Sequence, residues 1–153
     1  MGTISKINLI EQAEQYVLSI RKIIRFEEFP QIAEQCYAKI GQFALQNDLL
    51  FSGCPFVCYH NVDLENLDTE IGFPVARPIQ GNGEIVGRSI PAEKVVTGLF
   101  QGAFEETDPL MMDILQWINE HGYEAQGRII NYFLNEEDRL ADQQLTRIAV
   151  PVK

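Results

Sequence analysis

Apolar residues recur along this chain with two different periods, and the switch between them occurs twice. Residues 16–24 and 94–100 are apolar and rich in β-branched residues, which predicts two strands. A proline follows each run, at Pro30 and Pro109, and the apolar residues beyond it are spaced as on one face of a helix. The predicted helical stripes are Ile32, Cys36, Ile40, Phe43 and Ala44 in the first helix and Leu110, Ile114, Leu115 and Ile118 in the second.

The segments that follow the two predicted helices also match each other. Each helix is followed by a glycine and then by a short apolar strand, at 54–60 and at 128–134. Each copy then closes on a longer strand, "LDTEIGFPV" (67–75) in the first and "QLTRIAVPV" (144–152) in the second. The sequence is therefore interpreted as two copies of a strand–helix–strand–strand unit, with a further strand in the "GNGEIVGRSIP" segment between them.

This duplication defines the expected domain organisation and fold class. The two pseudo-repeats cover about 16–75 and 94–152 of a single domain at 16–153, and residues 1–15 form an N-terminal extension. One sheet face with one helix buries too little apolar surface to be stable alone, so the repeats are expected to lie side by side. The predicted class is α+β: a duplicated β-α-β-β unit that forms an antiparallel sheet with two helices on one face and a central ligand cleft.

Charge narrows the range of partners. The chain has 22 acidic against 12 basic residues and a formal net charge of -10, which disfavours nucleic acid and anionic membranes. No apolar run approaches the roughly 18 residues that span a bilayer, and the first residues lack a secretory signal, so we expect a cytoplasmic protein. In the N-terminal extension, Ser5 or Thr3 is expected to cap a short amphipathic helix through Ile7, Leu9 and Ile10.

The segment "CPFVCYH" (54–60) raises the question of a metal site. On a strand, Cys54, Cys58 and His60 share one face, whereas Val57 and Tyr59 share the other. Two thiolates four residues apart on a strand are roughly 13 Å from each other and cannot share one zinc ion. We therefore predict no metal site and no cofactor. The cysteines are expected to be reduced core or surface thiols, and both histidines, His60 among them, are expected at the surface.

Several longer motifs resemble one known family. They are "RFEEFP" (25–30), "EIGFPV" (70–75), "GAFEETDP" (102–109), "WINEHGYEAQGRIINYFLN" (117–135) and "LTRIAVPV" (145–152). In this order and spacing they resemble the GyrI-like small-molecule-binding domain, which is also the effector-binding domain of AraC-type and MerR-type bacterial transcription regulators. The resemblance implies an aromatic-lined cleft between the repeats that takes lipophilic, often cationic, drug-like compounds. Only about fifteen residues precede the domain, so a freestanding binding protein without a DNA-binding domain is expected.

The resemblance also implies which residues contact the ligand. Many members have a glutamate on the strand after the second helix and a tyrosine two residues later, where this chain has Asn131 and Phe133. An Asn–Phe pair has no group that exchanges protons, so we predict a non-enzymatic protein without catalytic residues. The candidate contacts with a small amphipathic or aromatic ligand are Val57, Tyr59, Glu70, Phe104, Trp117, Asn131 and Phe133. The alternatives are ordinary core packing for the aromatic residues and a solvated position for Glu70.

Two other functions stay open at the level of sequence. Some relatives are similar to hydrolases, so the chain is alternatively a hydrolase of small reactive electrophiles. A third interpretation is a protein inhibitor whose acidic surface docks a basic protein partner, such as a topoisomerase.

Overall fold

The chain folds into two compact units. The structure is a computed structural model that describes residues 2–135 and 139–153. The central unit is Glu14–Pro91, and the terminal unit combines Met1–Ala13 with Ala92–Lys153. Within residues 2–135 and 139–153, none of the helices combines the length and the apolar character that a membrane-spanning helix requires.

Strands and helices follow each other in the order that the apolar pattern predicts for residues 16–152. In chain order the elements are β1 (Gly2–Thr3), β2 (Asn8–Gln12), β3 (Gln15–Ile24), α1 (Phe29–Gln46), β4 (Phe56–Tyr59), β5 (Leu67–Val75), β6 (Val86–Ile90), β7 (Glu93–Gln101), α2 (Asp108–Glu120), β8 (Ile129–Phe133) and β9 (Leu145–Val152). Both helices have a proline in the first turn, where the missing N–H has no intrahelical partner to lose.

The central unit contains an antiparallel sheet in the order β4-β5-β3-β6, with α1 on one face. Ring contacts identify that face: Tyr37 of α1 lies 5.3 Å from Phe73 of β5, and Phe29 of α1 lies 6.0 Å from Tyr59 of β4 between ring centroids. Side chains alternate along a strand, so Glu70, three positions before Phe73, faces away from α1.

The terminal unit contains an antiparallel sheet built around β7. Both β1 and β2 pair with one edge of β7, β9 pairs with the other edge, and β8 pairs with β9. Helix α2 covers one face, and a Cβ atom at Gly98 of β7 would lie 2.9 Å from Leu110 Cδ1, so glycine allows the helix to approach the strand closely. The buried core cluster consists of Val96, Phe100, Leu110, Ile114, Ile118, Ile148, Val150 and Val152.

The structure confirms the α+β class, with antiparallel strands and two helices. The six strands predicted within the repeats agree with the observed strands to within two residues at each end. Each unit contains the order strand, helix, strand, strand, and in each the last strand lies between the other two. That the two units arose as copies of one another stays a prediction.

The predicted N-terminal helix is wrong. Residues Asn8–Gln12 form β2, which pairs in register with Glu93–Thr97 of β7, and Ser5 Oγ accepts a hydrogen bond from the Leu99 N–H instead of capping a helix. Ile7 and Leu9, two residues apart, both pack against the core cluster under α2. The strand period of these apolar residues and the open edge of β7 outweigh the local capping signal.

Candidate functional site

Asn131 lies in the middle of β8, directly opposite Ile148 of β9. Because Ile148 belongs to the core cluster under α2, the Asn131 side chain is on the helix-bearing face of the terminal unit. The residue is 5% exposed, and its Oδ1 atom has no hydrogen-bond partner within residues 2–135 and 139–153. A buried acceptor without a partner lowers the free energy of unfolding by about 1–3 kcal/mol, so burial of this carbonyl oxygen destabilises the unit.

An aromatic pair lies on the same face as Asn131. Phe133 is two residues further along β8, and its ring contacts Phe104 in an edge-to-face arrangement with centroids 5.1 Å apart. Phe104 comes from the short 3₁₀ turn Phe104–Glu106 that precedes α2. The half-buried Phe133 ring and the amide oxygen together offer an apolar wall and a hydrogen-bond acceptor.

Trp117 lies in a different part of the terminal unit from the Phe104–Phe133 pair. It lies nine residues after the start of α2 at Asp108, roughly 14 Å along the helix axis. Its indole ring stacks on His121 at 3.8 Å and on Tyr123 at 6.1 Å between centroids, and it packs partly against the core cluster. These contacts support the alternative of core packing for Trp117, although its role in ligand binding stays a prediction.

In the central unit, Tyr59 and Val57 point to the face that carries α1. Val57 is opposite Ile71 of β5 and is completely buried, as expected of a core residue. The Tyr59 ring packs against Phe29 at 6.0 Å and Phe26 at 6.4 Å between centroids. Its buried hydroxyl has no hydrogen-bond partner in the part of the chain that the structure describes. Burial raises the pKa of Tyr59 far above its ordinary value, so the hydroxyl stays a neutral donor.

Glu70 is on the other face of the central unit's sheet, away from Tyr59. The alternative of a solvated Glu70 is wrong, because the residue is 1% exposed. Its carboxylate forms two bonds of 2.7 Å with the Arg88 guanidinium, from Nε to Oε2 and from Nη2 to Oε1. Ser19 Oγ donates to Oε2 at 2.6 Å, and His60 Nε2 lies 2.9 Å from Oε1. The prediction of a surface position for His60 is wrong as well, because only 13% of its side chain is exposed.

These contacts explain the ionisation of Glu70. Burial raises the pKa of the carboxyl group, but the hydrogen bonds from His60, Arg88 and Ser19 outweigh burial and hold the pKa far below its usual range. The Glu70 hydrogen bond in turn raises the pKa of the Arg88 guanidinium. Glu70 is thus a paired carboxylate, and both of its oxygens are occupied by protein donors.

The sequence contains weak signals for the Glu70 partners. Ser19 interrupts an otherwise apolar run in β3, and a buried hydroxyl in such a run needs a partner. Ser19 is opposite Gly72 of β5, two residues from Glu70, where a larger residue would meet the Leu18 backbone. Arg88 comes from β6 on the far side of β3, so only the pairing of three strands brings it to Glu70.

The chain matches the model of the GyrI-like small molecule binding domain over residues 5–153, and it therefore belongs to this family. None of the curated proteins compared with the chain matches it.

Solved structures show the same fold. The EcmrR C-terminal domain matches with a TM-score of 0.84 and 23% identity, covering 97% of each chain. The chain spans 57% of the length of EcmrR as solved in its DNA complex, at a TM-score of 0.84 and 22% identity. SAV2435 bound to tetraphenylphosphonium matches with a TM-score of 0.64 and 15% identity over 97% of this chain and 94% of that one. A hydrolase from Listeria innocua matches with a TM-score of 0.70 and 11% identity over 97% and 92%. Identities this low show a shared fold alone.

Proposed function

We propose that this chain is a non-enzymatic binding protein for small amphipathic molecules, including lipophilic cations, and that Asn131 contacts the ligand. The observation that carries this proposal is the buried Asn131 Oδ1 without a partner among the described residues. A ligand that supplies a donor or a positive charge to this oxygen would remove the cost of its burial.

The surroundings of Asn131 suit an apolar or aromatic ligand. The Phe104–Phe133 pair offers aromatic surface on the same face, and burying apolar ligand surface contributes about 25 cal/mol per Å². Aromatic ring faces also attract cations within about 6 Å of their centroids. In the central unit, taken by itself, the Tyr59 hydroxyl is also a buried polar group without a described partner, and we propose it as a polar ligand contact of that unit.

The relatives support the class of ligand but not its identity. SAV2435 is solved with tetraphenylphosphonium, a lipophilic cation, and this chain belongs to the same class of fold. An amide oxygen attracts a cation through its dipole only, so we expect weaker selectivity for cations than a buried carboxylate would give. With a formal net charge of -10, direct binding to nucleic acid is not part of the proposal, and a cytoplasmic location stays a prediction.

A hydrolase is the less favoured alternative. Some neighbours of this fold are hydrolases from Listeria innocua, at 11% and 12% identity. In this chain the residues at the family's glutamate and tyrosine positions are Asn131 and Phe133, which have no proton to exchange. The buried carboxylate of Glu70 faces away from Tyr59 and is held by Arg88, so it is poorly placed to act as a base on that face.

Titration calorimetry with tetraphenylphosphonium and with neutral triphenylphosphine oxide tests the proposal. We expect saturable binding of the cation to the wild type and weaker binding of the neutral compound. Asn131→Leu is expected to lower the affinity for the cation about tenfold, which corresponds to about 1.4 kcal/mol of binding free energy. Asn119→Leu, which changes an exposed asparagine of the same unit, is the matched control and is expected to bind like the wild type. Failure of the wild type to bind either compound saturably would overturn the proposal.

A further inference from the structure

Three side chains of types that commonly bind metal ions meet on the face of the central unit's sheet that points away from α1. Cys58 and His60 are two residues apart, and Cys58 is directly opposite Glu70 in the pairing of β4 with β5. One potential ligand atom from each of Cys58, His60 and Glu70 lies within 4.8 Å of the other two. The proposed binding of amphipathic ligands uses none of these groups.

We propose that Cys58, His60 and Glu70 form a binding site for a zinc-class divalent metal ion. Thiolate sulfur, imidazole nitrogen and carboxylate oxygen are the three ligand types that Zn²⁺ takes from proteins, at about 2.0–2.3 Å. Two ligands at these lengths around a tetrahedral ion are roughly 3.3–3.8 Å apart. The three potential ligand atoms lie within 4.8 Å of one another. Side-chain shifts of about 1 Å bring them to the spacing around a tetrahedral ion, with no change in strand pairing. A water molecule would complete the tetrahedron.

Cys54 and Cys58 are four residues apart along one predicted strand and cannot share a metal ion. In the structure the partner of Cys58 comes from the neighbouring strand, where cross-strand side chains lie about 5 Å apart. The site is therefore built by the β4–β5 register and not by the two cysteines of one strand.

Arg88 is the group that a metal ion must displace. Its guanidinium holds both Glu70 oxygens, and its side chain is 35% exposed, so it can turn into solvent without crossing the core. The Cys58 thiol would release its proton to solvent on ligation, because the thiolate is the metal ligand. A divalent ion with one thiolate and one carboxylate leaves no net charge, so Arg88 is no longer needed for neutrality. Arg21, the other nearby cation, is already paired with Asp68.

Two features determine how the site should bind a metal ion: access of the ion from solvent and its competition with Arg88 for Glu70. His60 has 13% of its side chain exposed and lies at the solvent edge of the cluster, whereas Cys58 is buried. Metal ion and guanidinium compete for the same carboxylate, so removing the guanidinium should strengthen metal binding. A purely structural Cys58–His60–Glu70–Arg88 cluster would show no such effect.

Titration of the metal-free chain with Co²⁺ tests this site. We expect one tightly bound ion per chain with a near-ultraviolet thiolate-to-cobalt charge-transfer band, and loss of that band when Zn²⁺ is added. Cys58→Ser is expected to abolish the band, and His60→Gln to weaken binding at least about tenfold. Cys36→Ser and Cys54→Ser are the matched thiol controls and should retain the band.

Arg88→Gln gives the most discriminating result. It is expected to bind Co²⁺ and Zn²⁺ at least about fivefold more tightly than the wild type, in a chelator competition on protein that circular dichroism shows to be folded. The proposal is overturned if the wild type shows no charge-transfer band, if Cys58→Ser keeps the band, or if folded Arg88→Gln binds the ion no more tightly.

Discussion

Glu70 and Asn131 are both buried polar residues on β-strands, yet they differ in their hydrogen-bond partners. Glu70, in the central unit, has both oxygens occupied by donors from Ser19, His60 and Arg88. Asn131, in the terminal unit, keeps an amide oxygen without a partner among the described residues. A buried charge cannot stay unpaired because its desolvation costs too much, whereas a neutral amide can remain unpaired at a moderate cost. The contacts of Glu70 are therefore explained by folding, whereas the role proposed for Asn131 is to contact a ligand.

Removal of the Glu70 carboxylate is expected to have the largest effect on stability. Glu70→Ala leaves the buried Ser19 and the largely buried His60 without their acceptor, whereas the partly exposed Arg88 guanidinium can turn into solvent. Each buried group left unsatisfied costs about 1–3 kcal/mol. Urea unfolding of the wild type and the variant measures this loss. Glu84→Ala, which removes an exposed carboxylate paired with Lys39, is the control and should change stability far less. Equal losses at the two positions would contradict the importance of the buried network.

The hydroxyl of Ser19 tests the same network with a smaller change. Ser19→Ala removes one donor to a buried carboxylate, so we expect a loss of about 1.5–3 kcal/mol in the free energy of unfolding. Ser89 forms a similar bond with Glu14 at 2.9 Å, but in an exposed position. Ser89→Ala should therefore cost less than about 0.5 kcal/mol. A larger effect at Ser89 than at Ser19 would show that burial is not what gives the Glu70 bonds their strength.

Acid should weaken the central unit through Glu70. Its pKa is lower in the folded chain than in the unfolded chain, so its contribution is fully present above the unfolded pKa of about 4.3. Stability is lost as the pH falls from there through the folded pKa, by at most about 1.4 kcal/mol per pH unit for one proton. Unfolding measured in the presence of a chelator, for the wild type and Glu70→Gln, isolates this contribution. The difference in free energy of unfolding between them should shrink as the pH falls below about 4, and a constant difference would argue against a buried ionised carboxylate.

Replacement of Asn131 should increase stability, whereas replacement of Glu70 or Ser19 should decrease it. Asn131→Leu replaces an amide whose oxygen has no described partner with an apolar side chain of similar size, so we expect a gain of about 1 kcal/mol in stability. Thermal and urea unfolding in the absence of ligand measure the gain. A loss of more than about 1 kcal/mol would mean that the amide already serves the fold, and the case for a ligand at this position would lose its basis.

Most of the strand and helix positions were predictable because they depend on local periodicity. The strand at 67–75 was predicted with its observed limits, and the N-terminal strand β2 was missed because it depends on the open edge of a strand more than eighty residues away. That Val57 and Tyr59 share one face of their strand was also predictable, because side chains alternate along a strand. Cross-strand partners were not, because Glu70 meets Arg88 only after β5, β3 and β6 are paired in register.

In the candidate site, too, features that depend on local sequence were predictable and features that depend on tertiary contacts were not. Asn131 and Phe133 were identified from their place in the family's motif, and the structure locates both on a helix-bearing face. That Oδ1 has no partner among residues 2–135 and 139–153 depends on every neighbouring side chain, so no pattern in the sequence contains it. The Cys58–His60–Glu70 cluster was missed for the same reason, since Cys58 is in β4, His60 follows the end of β4, and Glu70 comes from β5.

The most direct test of the account is the nuclear magnetic resonance signal of the Asn131 side-chain amide, assigned by its disappearance in Asn131→Leu. Titration of the wild type with tetraphenylphosphonium is expected to shift this signal progressively until it saturates, while the Asn119 amide signal stays in place. Saturable binding that leaves the Asn131 signal unmoved would contradict the proposal that its buried oxygen, which has no partner in the described part of the chain, contacts the ligand.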